Sequence, residues 1–490
     1  MALSKLASET RFMPALEQAA LVRNKKVSAR ELVDAAIERY EAYNPKINAV
    51  NIVWLEHARE LADKADAKRA DDVSTRAPFH GVPTLFKDLG LMYAGQHLSQ
   101  GNKALKAMHY VPTQTSELAA RFIAAGLIPF GRTNSCEWGS LPATEPEAWG
   151  PTRNPHDLSR TCGGSSGGAG SAVAAGIVPI GHASDGGGSI RIPASCNGLV
   201  GLKPSRGRVS MAPLGDEAGF SVQLGVTYNV ADTAALLDAV HGPGVGDGVV
   251  APPPQRPYIS EVGAKVGSLR IGLLDHDPLG VQVDVECRDA ARNAAKLLET
   301  LGHSVEESWP EALNDASFPP RFGAMWATLQ AVSRDSLSAL LGRPATKDDI
   351  EAVNWEQAER ASKASALDYA KSVAAAAMFR RAVSQWWSDG FDLLVTPTLS
   401  RIPFPIGSFT NDPSNPLKPS RLATEWVRFT AQFNMTGQPA ISLPLGRTAS
   451  GLPIGVQLVA AYGREDLLIR VASQLEAAAP WKGFTPTALD

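Results

Sequence analysis

Two glycine-serine runs, Gly163-Gly164-Ser165-Ser166-Gly167-Gly168 and Asp185-Gly186-Gly187-Gly188-Ser189-Ile190-Arg191, follow one another closely, with Lys87-Asp88 well upstream. Glycines gather where backbone must come close to a ligand or aim several N–H groups at one point, so the runs read as two walls of one site. A phosphate-binding P-loop would end in Gly-Lys-Ser/Thr, and neither run contains a lysine. Ser165 and Ser166 each sit in a Gly-x-Ser-x-Gly frame, but a nucleophile elbow must follow a buried strand, and Pro155 to Thr161 reads as none. The nine histidines are dispersed without a His-Glu-x-x-His cluster, which speaks against a zinc hydrolase. With no histidine evident as partner for a serine, Lys87 is the remaining candidate base. A lysine serves as one only when its pKa falls from about 10.4 toward about 7 or 8, as burial would achieve. The alternative is a simple salt bridge between Lys87 and Asp88.

The elements around these residues read as α/β. Ser28-Ala29-Arg30-Glu31 is a capping-box pattern, and Leu32, Ala35, Ala36 and Tyr40 continue one helical face. Gly81 to Asp88 reads as a short buried strand ending on the lysine. Helix-like Glu117 to Ala125 precedes strand-like Leu127 to Phe130, and helix-like Gly170 to Gly176 precedes strand-like Ile177 to Ile180. Leu199-Val200 is a further short apolar run. Further strands are predicted at Arg270 to Leu274 and Asp392 to Val395. Alternation of this kind implies a sheet covered by helices on both faces. Trp309 to Trp387 is helix-rich instead, and Trp309, Trp326, Trp355, Trp386, Trp387 and Trp426 fall in or just beyond it. These tryptophans either pack helices together or line a pocket for a bulky apolar ligand.

Composition sets the outer limits. With 44% hydrophobic and 20% charged residues and a net charge of −3, the chain is an ordinary globular protein, with no pull toward nucleic acid or anionic membrane. Cys136, Cys162, Cys196 and Cys287 are widely spaced and read as reduced, buried or site-lining thiols. No secretory leader or membrane span is read from the sequence, so a cytoplasmic enzyme is expected.

Four motifs in order, Gly81-Val82-Pro83 through Lys87-Asp88, the two glycine runs continued as Ile192-Pro193-Ala194, and Gly201-Leu202-Lys203-Pro204, resemble the amidase signature family. Gly131-Arg132-Thr133-Asn134, Asn154-Pro155 and Asn434 to Ala440 extend the resemblance over nearly the whole chain. It implies the amidase signature fold, a central mixed twisted sheet covered by helices, as one domain over residues 1–490 with a variable, helix-rich pocket region at about 309–430. It also implies a Ser-cisSer-Lys triad. Ser189 would be the nucleophile, Ser165 the bridging serine after a cis peptide bond, and Lys87 the base. An oxyanion would be held by N–H groups drawn from Gly186, Gly187, Gly188 and Ser189. Two departures bear on pocket shape: Cys162 stands where proline is common, and Gly186 where many members carry threonine or isoleucine.

The activity implied is hydrolysis of a small, largely apolar amide, with no cofactor, no metal, no nucleic-acid or membrane partner, and a homodimer as a common assembly. Thr144 to Gly150 and Gly455 to Asp466 look most like the branch of the family that opens cyclic 6-aminohexanoate dimers, which makes a cyclic or linear 6-aminohexanoate oligomer the expected substrate. Cys136 and Trp326 are the expected pocket-lining residues. Aryl-amide or carbamate hydrolysis is the alternative within the family. A glutamyl-tRNA amidotransferase subunit is a more distant one, since the tract from Met211 onward does not resemble that subunit.

Overall fold

The computed structural model describes residues 3–68, 76–215, 219–481 and 484–489; Asp216, at the end of the tract from Met211 considered above, lies outside them. Among the described residues one sheet has eleven strands. Their order is Val50–Val53, Leu127–Thr133, Val82–Lys87, Ile180–Asp185, Val222–Thr227, Val200–Lys203, Ala440–Arg447, Pro453–Ala460, Leu393–Pro397, Arg270–Leu273 and Ser304–Glu307. The sheet is mixed. Val82–Lys87 runs parallel to both of its neighbours, whereas Ile180–Asp185 is antiparallel to Val222–Thr227 and the two C-terminal strands Ala440–Arg447 and Pro453–Ala460 pair antiparallel. Helices flank the sheet on both faces, as expected for this fold class.

Local sequence accounts for much of this. Ser28 closes the capping box: its hydroxyl accepts from the Glu31 N–H at 3.1 Å while its own N–H donates to Glu31 Oε2 at 2.7 Å, starting helix Ala29–Ile47. All six residues of Val82–Lys87 are buried, so the strand delivers Lys87 into the interior.

Two expectations need correction. Ile177 to Ile180 is not a strand; it is the buried connection after helix Gly167–Ala174, and the strand begins at Ile180 and runs to Asp185. The apolar run misleads because the true strand carries His182, Ser184 and Asp185, polar groups that belong to the site. A strand does precede the first glycine run, at Asp157–Thr161. It pairs only with Arg153–Asn154 in a separate two-stranded ladder and is largely not buried, so it is not the central strand a nucleophile elbow requires.

From Phe318 to Ser388 the chain forms the helices Phe318–Leu341, Ala352–Ala361 and Ala366–Ser388. Trp326, Phe322 and Phe220 stack there, with Phe318 on Phe379 beside them. Trp386, Trp387 and Trp426 are buried packing residues. No helix of the described residues is long and apolar enough to cross a membrane, and all four cysteines are buried free thiols.

Candidate active site

Lys87 ends its strand fully buried, with Nζ donating to Ser165 Oγ at 2.6 Å and to Ser184 Oγ at 2.9 Å. Burial pulls its pKa down to about 7, against the opposing influence of Cys136 and Asp185. The salt bridge to Asp88 does not form. The Asp88 carboxylate instead accepts from the Ser99 N–H at 2.8 Å and the Gln100 N–H at 3.2 Å, and also from the Ser99 hydroxyl. Ser184, which the sequence reading passed over, sits two residues beyond His182, on the same face of its strand. The His182 ring accepts the Lys87 N–H through Nδ1 at 3.2 Å.

The Gly164–Ser165 peptide bond is cis. Its run is clamped from two sides. Thr144 Oγ1 donates to the Gly163 carbonyl and accepts from the Gly167 N–H, while Ser166 Oγ donates to the Ser184 carbonyl and accepts from the Ser184 N–H. The glycines permit this approach: a β-carbon on Gly168 would lie 2.4 Å from the Asn134 backbone nitrogen.

The second run is held by an ion pair buried to 0% exposure. Arg191 Nε and Nη2 donate to Asp185 at 2.9 and 3.0 Å, and the guanidinium also reaches Gln457 Oε1, Asn434 Oδ1 and the Thr430 carbonyl. Burial opposes the charge on Asp185, but Arg191 outweighs it and the carboxyl is held at about 2. Asp185 Oδ1 accepts the Gly188 N–H at 2.7 Å, and Oδ2 accepts that of Ile190 at 3.2 Å. Gly188 therefore cannot give that N–H to an oxyanion. Its φ of +137° and the 2.5 Å that would separate a β-carbon from Thr430 Oγ1 make it a structural glycine. The N–H groups of Gly186, Gly187 and Ser189 have no hydrogen-bond partner among the described residues.

Ser189 and Gly187 line a cavity of about 510 Å³. Gly139 lines it too, and a β-carbon there would lie 3.1 Å from Ser165 Oγ, so Ser165 sits directly behind a glycine of the cavity wall. The outer walls come from the helical region and are mainly apolar, including Phe322, Trp326 and Leu417. Trp326 lines the cavity, and its ring would lie 3.0 Å from a β-carbon on Gly186, which connects the missing side chain at 186 to the tryptophan at 326. Cys136 does not line the cavity. It is buried behind the site, its thiol donating to the Leu141 carbonyl at 3.2 Å, and burial pushes its pKa up to about 12.

Residues 31–469 match the Amidase family. The chain belongs to the amidase family. As an amidase it is an amidohydrolase that acts on C–N bonds other than peptide bonds. Over 489 residues this amidase is 42% identical to 6-aminohexanoate-cyclic-dimer hydrolase from Paenarthrobacter ureafaciens, covering 98% of this chain and 97% of that one. The solved structure of 6-aminohexanoate cyclic dimer hydrolase complexed with substrate superimposes with a TM-score of 0.92, over 98% of this amidase and 100% of that chain, at 42% identity. A bacterial aryl acylamidase of the amidase signature family superimposes with a TM-score of 0.84 at 27% identity, covering 97% and 98%.

Proposed function

We propose that the protein hydrolyses a small, largely apolar amide through an acyl-enzyme on Ser189. The observation that carries this reading is the 2.6 Å contact between Ser165 Oγ and a lysine whose pKa burial lowers to about 7, beside a cavity that Ser189 lines. Ser189 Oγ attacks the carbonyl carbon as its proton passes to Ser165, whose own proton passes to neutral Lys87. The resulting oxyanion is received by N–H groups of Gly186, Gly187 and Ser189. Such donors are worth about 100- to 1000-fold each in rate. Collapse of the tetrahedral species breaks the C–N bond, and the relay run backwards protonates the leaving amine. Water, activated by the same relay, then releases the acid and restores Ser189.

The substrate class proposed is the 6-aminohexanoate oligomer, cyclic rather than linear. In its support, no Asp, Glu, Lys or His lines the cavity among the described residues, and the two arginines there, Arg360 and Arg428, are paired with Glu356 and Asp277. A zwitterionic linear oligomer would bury an ammonium without a counter-ion, at a high desolvation cost, whereas a neutral ring would not. The helical region at about 309–430 supplies the outer wall. The stacked Phe220, Phe322 and Trp326 favour aryl amides as a second reading. Turnover of the cyclic dimer, its linear counterpart, an anilide and an aryl carbamate separates these: the cyclic dimer is expected to have the highest kcat/KM, and an anilide leading by tenfold or more overturns that choice.

A further inference from the structure

Two walls of the cavity meet at a buried carboxylate that the proton relay does not use. Glu137 is 0% exposed and lies in the turn that leads from strand Leu127–Thr133 to the cavity-lining Gly139, Leu141 and Pro142. Its Oε1 accepts from Asn102 Nδ2 at 2.7 Å, and its Oε2 accepts from the Glu351 N–H at 2.9 Å and from Asn354 Nδ2 at 2.7 Å. All three partners are donors. Asn102 is oriented by the Ala104 and Leu105 N–H groups on its Oδ1, and Asn354 by a second contact of its Nδ2 with the Glu137 carbonyl at 3.3 Å. Burial raises the Glu137 carboxyl, and these donors pull it back.

Glu351 is the N-cap of helix Ala352–Ala361, and its own side chain makes no capping bond. The Glu137 carboxylate, 214 residues away in sequence, supplies an acceptor at that N-terminus, where a helix favours negative charge. Gln357, Arg360 and Ala361 of the same helix line the cavity. The two sides of this joint are anchored differently. The turn is held to the core without the Glu137 side chain, since the Trp138 N–H donates to the Gln100 carbonyl at 3.0 Å and the Gly139 N–H to the Cys136 carbonyl at 3.1 Å. Farther along the helix, side-chain contacts stay within the variable region, from Arg334 to Glu359 and from Gln357 to Ser420. Weakening the joint therefore releases the helix and leaves the turn behind Ser165 in place.

We propose that Glu137 is a positioning residue that fixes helix Ala352–Ala361, and with it the outer wall of the substrate cavity, against the turn behind Ser165. This rests on the amidase reading above and goes beyond it: one carboxylate sets the fit of the substrate and takes no part in proton transfer. In Glu137→Gln the new amide nitrogen must face one of three donors, so the joint cannot close as it does in the wild type.

Steady-state kinetics on the best-cleaved of the amides compared above test it, with active sites counted by a fluorophosphonate that labels the nucleophilic serine. Glu137→Gln is expected to raise KM about tenfold or more while kcat per labelled site stays within about threefold of the wild type. Asn354→Ala, which removes one donor from the helix side and leaves the carboxylate in place, should raise KM by a smaller factor with kcat equally unaffected. A residue that served stability alone would lower the number of labelled sites and leave KM as it was. That result overturns the inference, as does a loss confined to kcat. Where Glu137→Gln fails to fold, Asn354→Ala decides by the same criteria. These results leave the amidase reading standing. A wild type that cleaves none of those amides overturns that reading and this inference together.

Discussion

Lys87 and Asp88 are adjacent in sequence and do not pair. Lys87 Nζ donates to Ser165 Oγ at 2.6 Å, while the Asp88 carboxylate is taken up by the backbone of Ser99 and Gln100. Adjacent residues on an extended strand point to opposite faces, so the strand presents a buried cation on one side without its neighbouring anion. Burial then lowers the Lys87 pKa to about 7, so that the neutral amine is available from neutral pH upward.

The pH dependence of the rate follows. Below about 7 Lys87 is protonated and cannot accept the proton relayed from Ser189; above it the base is free. The account predicts that kcat/KM rises about tenfold per pH unit on the acid side and levels off above an apparent pKa of about 7. A pH–rate profile from 5 to 10 on a non-ionising amide checks this.

Stability should depend on the same group. The unfolded lysine titrates near 10.4 and the folded one at about 7. Between these values the unfolded chain holds a proton that the folded one lacks, so raising pH favours folding by about 1.4 kcal/mol per unit. Relative to Lys87→Met, which carries no charge in either state, the wild type should gain that amount per unit from pH 7 toward 10. Denaturant titrations of both proteins at pH 7, 8 and 9 measure it.

Asp185→Ala removes one half of a pair in which both side chains are buried to 0% exposure, leaving Arg191 charged without its carboxylate. A loss of about 3–5 kcal/mol is expected. The same variant frees the Gly188 and Ile190 N–H groups that hold the nucleophile run in shape. Calorimetric unfolding should therefore show a markedly lower Tm together with low activity in the protein that remains folded.

Gly186 and Trp326 should act as a coupled pair. A β-carbon at 186 would meet Trp326 Cζ3 at 3.0 Å and Ser221 Oγ at 3.1 Å, closer than ordinary van der Waals contact. Gly186→Thr is expected to lower kcat/KM by about 10- to 100-fold by displacing the run beside Ser189, and Trp326→Ala in the same chain should recover part of that loss. A double-mutant cycle in kcat/KM reports the coupling, which independent sites would not show.

Much of this was legible in the residues. The capping box at Ser28, the strand ending on Lys87, the α/β alternation and the helical character of the Trp309 to Trp387 stretch each follow from a local pattern. What was not legible has two causes. Ile180–Asp185 was displaced because the strand carries His182, Ser184 and Asp185, and polar site residues disguise a buried strand. Ser184 on Lys87, the Gly188 N–H on Asp185 and the position of Cys136 behind the cavity depend on contacts between segments far apart in sequence, which no local pattern reports. The link between Gly186 and Trp326 spans elements of this kind too; the visible hint was only the absent side chain at 186.

The most direct test of the central claim is the turnover number of Ser189→Ala on an amide that the wild type cleaves, measured on protein whose Tm matches the wild type. Loss of about 10⁴-fold or more is predicted. Activity within tenfold of wild type would contradict the assignment of Ser189 as nucleophile.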